Sequence, residues 1–247
     1  MLLREPGQTP YDLNFRVFGV PVRVHPTFWL TGVVLGGLGA QFDPMVVLLV
    51  TIAIFVSILW HELGHAFVIQ YFGGRPWITM YAFGGLASHV PNGASRRADP
   101  TVRAAAISLA GPIHQLLLAA AIVAVLAAAG RRVEFQGVVP RLDFEFFESN
   151  PSLAVLTSAM LYVNVFWALL NLAPIYPLDG GQVAHAVLAR INPRDGLRIT
   201  LVLSIATSVA LAVYVAFAFK TMYLVIFFAY LAFENYQTLQ AQNYRRW

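Results

Sequence analysis

His61 and His65 stand four residues apart with Glu62 beside the first of them, in a stretch from Pro44 to Gly74 that holds no other charged residue. Residues four apart share a helix face, so the two imidazoles can offer nitrogens to one ion with Glu62 adjacent. The chemistry of such a trio is that of a zinc hydrolase. A water made acidic by the ion loses a proton near neutral pH, and the carboxylate takes it and later passes it to the leaving amine. The alternative is a chance spacing on a helix whose histidines only satisfy local hydrogen bonds. Burying two imidazoles and a carboxylate among Ile, Phe, Val and Trp is costly unless something pairs with them, which weighs against chance.

A third ligand has to come from another part of the chain. Residues 149–178 carry no charge and run into Asn171-Leu172-Ala173-Pro174-Ile175-Tyr176-Pro177-Leu178-Asp179-Gly180-Gly181. Two prolines three apart cannot both sit inside a regular helix, so the backbone is expected to open here, where protein or water must cover it. Asp179 would then lie on irregular backbone lining a cavity. Read alone, it is equally a residue that caps the amphipathic segment 182–191.

The elements that must position these residues are membrane spans. The chain has 247 residues, 58% hydrophobic and 11% charged, with a mean hydropathy of +0.66, which is the composition of a polytopic membrane protein. It has no cysteine, so thiol catalysis, thiolate metal sites and disulfides are excluded. Residues 1–15 are polar, hold Arg4, Glu5 and Asp12, and lack the apolar core of a cleavable signal peptide. The fold class expected is all-α integral membrane, a single domain over 1–247. Its six transmembrane helices fall at about 24–42, 45–72, 102–129, 151–171, 199–219 and 221–236.

Between the second and third spans, Trp77 to Phe83 is β-prone and Gly84-Gly85 is a turn signal before Leu86 to Val90. The pattern predicts a small β-hairpin, with an ordinary surface loop as the alternative. Residues 91–97 and the charged stretch 131–150 read as loops. His25 reads as a boundary residue at the entry of the first span. In the third span, Gly111-Pro112 bends the chain and lets helices approach, and His114 and Gln115 read as a polar pair bonded to carbonyls freed by the proline.

Counting basic residues sets the orientation. Six spans place twelve of the sixteen on one side (Arg4, Arg16, Arg23, Arg75, Arg96, Arg97, Arg103, Arg190, Arg194, Arg198, Arg245 and Arg246) and leave Arg131, Arg132, Arg141 and Lys220 on the other. Both termini are therefore expected in the cytoplasm. The ionisable groups inside the spans reduce to His61, Glu62, His65, His114 and Asp179, with His185 just after, all toward one side. A metal transporter usually needs such groups across the whole membrane. Gly-x-Ser-x-Gly and a second intramembrane Asp are absent, so serine and aspartyl mechanisms lack their parts.

His61-Glu62-Leu63-Gly64-His65 in one span, followed by the Asn171 to Gly181 segment in a later one, resembles the site-2 protease family of zinc intramembrane proteases. The resemblance extends to His25-Pro26-Thr27-Phe28, Phe83-Gly84-Gly85 and Ala110-Gly111-Pro112. It implies one zinc ion held by His61, His65 and Asp179, Glu62 as general base and acid, and Asn171 holding the substrate or the developing oxyanion. It also implies a hairpin at Gly84 and Gly85 that guides a membrane-anchored protein or peptide substrate, with the lipid bilayer as the other partner and no role for nucleic acid. The expected location is the plasma membrane of a prokaryote. The sequence departs from many members in having no inserted PDZ domain and no C-terminal CBS domain. It also has Gln115 where an Asn often follows Gly-Pro, a change expected to leave the metal site untouched. The competing readings are a catalytically silent membrane-binding relative, which should have lost Glu62 or a ligand, and a metal transporter.

Overall fold

Val20, Val22 and Val24 alternate with Pro21 and Arg23, the period of a strand with one buried face. In the computed structural model, which describes residues 5–37, 43–82, 84–90, 98–218 and 222–244, these residues form β2 (Val20–Val24). Strand β1 (Leu13–Val17) pairs with it antiparallel, through a two-residue turn in which Phe18 and Gly19 both have positive φ, 50° and 79°. Strand β3 (Arg75–Tyr81) lies parallel to β2, and β4 (Gly84–Val90) pairs antiparallel with β3, so the order is β1-β2-β3-β4 with β4 at an edge.

The chain divides into two compact units, one of residues 2–96 and 110–169 and the other of 97–109 and 170–247. In the first, Val20, Val22, Val24, Ile78 and Met80 pack from the sheet against Phe28 of α1 (Pro26–Gly37) and against Ile54, Ile58, Leu63 and Ala66 of α2 (Pro44–Tyr71). Helix α2 starts cleanly: Pro44 fills its first position and the Asp43 carboxylate accepts from the Met45 and Val46 amides. His25 follows β2 directly, its Nδ1 2.8 Å from the Thr27 hydroxyl. A second cluster joins Ala119 and Leu126 of α3 (Pro100–Ala128), Ala154 and Leu161 of α5 (Pro151–Asn171), and Leu142 and Phe146. Leu142 ends the hairpin of β5 (Val133–Gln136) and β6 (Val139–Leu142), and Phe146 lies on the short α4 (Phe144–Ser149). The second unit contains α6 (Asp179–Ile191), α7 (Gly196–Ala218) and α8 (Met222–Tyr244), with α7 packed on both α6 and α8.

The outer face of the large sheet is strapped by the segment before β1. Arg23 donates to Glu5 at 2.8 Å, to Asp12 at 3.0 Å and to the Pro6 and Gly7 carbonyls, and the Thr79 hydroxyl donates to Glu5 at 2.6 Å. Asp12 is lowered from 3.8 to about 2. The Thr9 hydroxyl is the largest cause, and the Thr9 amide and Arg23 act with it against desolvation. Burial pushes Glu5 up, but hydrogen bonds from Thr79 and Arg23 outweigh that and its pKa is lowered. A carboxylate held below its unfolded pKa stabilises the fold above that value and ceases to do so as pH falls through the folded one. The difference in thermal stability between wild type and Asp12→Asn is therefore expected to close between pH 3.8 and about 2; a difference that persists unchanged at the lower end would contradict the strap.

The chain is an integral membrane protein, mostly helical. Four described helices, α2, α3, α5 and α7, are long and apolar enough to cross a bilayer. Several expectations need correction. The fold is not all-α: β3 and β4 are half of a four-stranded sheet, and the first half was concealed because residues 13–24 form two short, partly polar strands directly before a greasy run. Residues 131–150 are not a plain loop, since β5, β6 and α4 form there. The first span is described only as twelve-residue α1, with 38–42 outside the described residues. The sixth becomes α8, whose last two turns are polar. Residues 91–97 and Phe83 lie outside the described residues, as do Arg4, Lys220, Arg245 and Arg246 of the orientation count.

Candidate metal centre

One turn of α2 carries three of the candidate residues. His61, Glu62 and His65 are all buried, and the Nε2 atoms of the two histidines converge to 3.0 Å. His61 Nδ1 lies 2.9 Å from Gln115 Oε1, and the Gln115 amide nitrogen donates to the Ser57 carbonyl at 3.3 Å. A carboxamide oxygen only accepts, so His61 Nδ1 carries the hydrogen and Nε2 keeps its lone pair. The correction here is that Gln115 is no bystander: it bonds directly to one of the two histidines. His114 Nδ1 lies 2.9 Å from the Ala110 carbonyl, whereas the carbonyl that Pro112 frees is that of Ser108, four residues before it.

The space in front of the imidazoles is kept by an absent side chain. A Cβ at Gly111 would overlap the Nε2 atoms of both His61 and His65, so the turn of α3 that faces them has room only for glycine. Two nitrogens 3.0 Å apart in a cradle of this kind suit a small divalent cation. With metal–nitrogen bonds of about 2.0–2.1 Å, tetrahedral ligands are separated by roughly 3.3 Å. The donor set therefore fits zinc.

Glu62 meets the sheet in the same unit. A Cβ on Gly85 would come within 2.6 Å of the Glu62 carboxyl carbon and 2.5 Å of Oε1, so the backbone of β4 runs directly against the carboxylate. Gly84, with φ of 120°, begins that strand.

Asn171 and Asp179 belong to the other unit, at the end of α5 and the start of α6, and both are buried. Asp179 is the first residue of α6, not part of the irregular backbone, which is confined to residues 172–178. That loop folds back on the first turn of α6: a Cβ on Gly180 would overlap the Leu172 carbonyl, and one on Gly181 the Ile175 backbone. Both main-chain groups of Tyr176 are gripped, its N–H by the Ser204 hydroxyl at 2.8 Å and its carbonyl by the Asn235 amide at 2.6 Å. Ser204 and Asn235 escaped the sequence reading. Their signal was a polar side chain inside an apolar helix.

No family model matches the chain. Three curated relatives do: Zinc metalloprotease MJ0392 of Methanocaldococcus jannaschii, 27% identical over 179 residues, 71% of this chain and 45% of the relative; Putative zinc metalloprotease sll0528 of Synechocystis sp., 30% identical over 203 residues, 75% and 48%; and Stage IV sporulation protein FB of Bacillus subtilis, 27% identical over 222 residues, 87% and 66%. The fold matches the solved Site-2 Protease from Methanocaldococcus jannaschii with a TM-score of 0.59 at 22% identity, over 93% of this chain and 95% of that one. In sequence the chain is similar to zinc metalloproteases, and its fold is that of a site-2 protease. It spans about half the length of the first two curated relatives. His61, Glu62, His65, Gly84 and Gly85 are brought together in one unit, and Asn171 and Asp179 lie in the other.

Proposed function

We propose that the chain is a zinc-dependent intramembrane endopeptidase, one catalytic domain that hydrolyses a peptide bond in or near a transmembrane segment of a membrane-anchored protein. The observation that carries this is the pair of converging, buried Nε2 atoms, cradled by Gly111 and flanked by Glu62, inside an apolar helix. His61, His65 and Asp179 would hold the ion. Asp179 is supported by its buried carboxylate at a position matching the family motif and by the grips that fix the loop before it. Bound zinc would polarise the scissile carbonyl and lower the pKa of water.

The remaining steps fall to side chains and backbone. Glu62 takes a proton from the attacking water and delivers it to the leaving amine. Asn171 is assigned to the substrate backbone or the oxyanion, as a carboxamide donor suits both. A helical substrate hides its peptide bonds and must become extended. Among the described residues β4 is an edge strand that offers main-chain groups for strand addition, with Gly84 and Gly85 at its start and Gly85 set directly against Glu62. Six spans, with α1 and α8 added to the four apolar helices, put both termini and twelve of sixteen basic residues on the cytoplasmic side. The plasma membrane of a prokaryote is the location assigned on this reading.

The test uses the full chain purified in detergent with a membrane-anchored reporter. Cleavage is expected with zinc bound, loss after a strong chelator and recovery on adding zinc back. Cleavage that a chelator does not touch would overturn the reading.

A further inference from the structure

We propose that Gln115 is a positioning residue for the metal: it holds His61 in the Nδ1–H tautomer and so presents the Nε2 lone pair to the ion. The proposal rests on the reading of His61 as a ligand. Its own support is the pair of bonds that Gln115 makes. A carboxamide with no exposed surface is costly unless both ends are used, and both are. The oxygen faces His61 Nδ1 at 2.9 Å and the nitrogen faces the Ser57 carbonyl at 3.3 Å. The second bond settles the direction of the amide, because turning it over would set its oxygen against the Ser57 carbonyl, acceptor against acceptor. Gln115 thus spans one turn of α2, from Ser57 to His61.

The bracket has a further anchor. Asn164 of α5, also fully buried, donates to the Ser57 hydroxyl at 2.8 Å and to the Met160 carbonyl at 2.8 Å. The ring of His61 is therefore held by a polar chain running through α3, α2 and α5, with Gln115, Ser57 and Asn164 all buried. A ligand histidine left without a partner on its other nitrogen distributes between two tautomers and turns about its side-chain bonds. Fixing both raises its affinity for a metal, and losing such a partner typically costs about 10- to 100-fold. Asn at this position has a side chain one methylene shorter, so the extra reach of Gln is what the Ser57-to-His61 span uses.

The experiment titrates zinc into metal-stripped, detergent-solubilised full chain in competition with a chromophoric chelator, for wild type, Gln115→Leu and Gln115→Glu. Gln115→Leu is expected to bind zinc about 10- to 100-fold more weakly, and Gln115→Glu, which as a buried neutral acid keeps an acceptor on Nδ1 and an O–H donor to the Ser57 carbonyl, to stay within about threefold of wild type. Leu within about threefold of wild type, or Glu falling as far as Leu, would overturn the proposal. Because Gln115→Leu could fail to fold, a second measurement stands without it: nitrogen-15 resonances of His61 in metal-free wild type, assigned by loss in His61→Asn. The Nδ1–H tautomer is expected, and a dominant Nε2–H tautomer would overturn the assignment. Wild type that binds no zinc at all would instead count against His61 as a ligand, and the tautomer would still report on Gln115.

Discussion

Glu62→Gln is expected to keep one zinc per chain while lowering turnover of a membrane-anchored reporter by about a hundredfold to ten-thousandfold, the range that a positioned general base supplies. The substitution changes an oxygen for an amide nitrogen and hardly alters volume, so the imidazoles on the same turn keep their places. What goes is the only basic oxygen pair on that stretch of α2, where no other charged residue occurs between Pro44 and Gly74. Glu62 is buried and pressed against the backbone of β4 at Gly85. Zinc stoichiometry and reporter cleavage are measured on the same preparation. Turnover within about tenfold of wild type would remove Glu62 from the mechanism.

Gly111→Ala is expected to weaken zinc binding by more than about tenfold, although it adds a single methyl group. That methyl would overlap Nε2 of both His61 and His65, the atoms assigned to the ion. Displacing two ligands together should cost at least as much as losing one supporting hydrogen bond. The result is diagnostic because the effect on the helix runs the other way. Alanine is the better helix former by about 0.8–1.0 kcal/mol in an exposed helix interior, so α3 gains propensity even as the cradle is filled. Chelator competition reads the affinity, and a thermal melt of the metal-free protein checks the fold. Undiminished zinc affinity in a folded Gly111→Ala protein would mean that the space before the imidazoles is not the metal site.

Much of the site was legible because its parts violate the composition around them. Two histidines and a glutamate at helical spacing in an uncharged apolar run need a reason, and so does a proline-broken segment ending in Asp179-Gly180-Gly181. Long, uniformly apolar helices were equally plain. The sheet was harder to see, because β1 and β2 are short and gain their stability from β3, more than fifty residues later in the chain, and from α2 beneath them. The role of Gln115 was also missed. As a polar residue after Gly-Pro it had an adequate local explanation in the carbonyls freed by Pro112, and only the approach of α3 to α2 reveals that it reaches His61 instead. Asp179 shows the same limit in another form. The loop was expected to carry it, but the two glycines let the loop fold back so tightly that α6 begins at the aspartate itself.

The central claim is that one zinc ion is held by two imidazoles and one carboxylate, those of His61, His65 and Asp179. Zinc-edge X-ray absorption on the purified full chain tests it most directly. The account expects two histidine nitrogens and oxygen ligands at about 2.0–2.2 Å, with an oxygen lost and zinc bound more weakly in Asp179→Ala. An identical spectrum and unchanged zinc content in Asp179→Ala, or a wild-type shell with no imidazole in it, would contradict it.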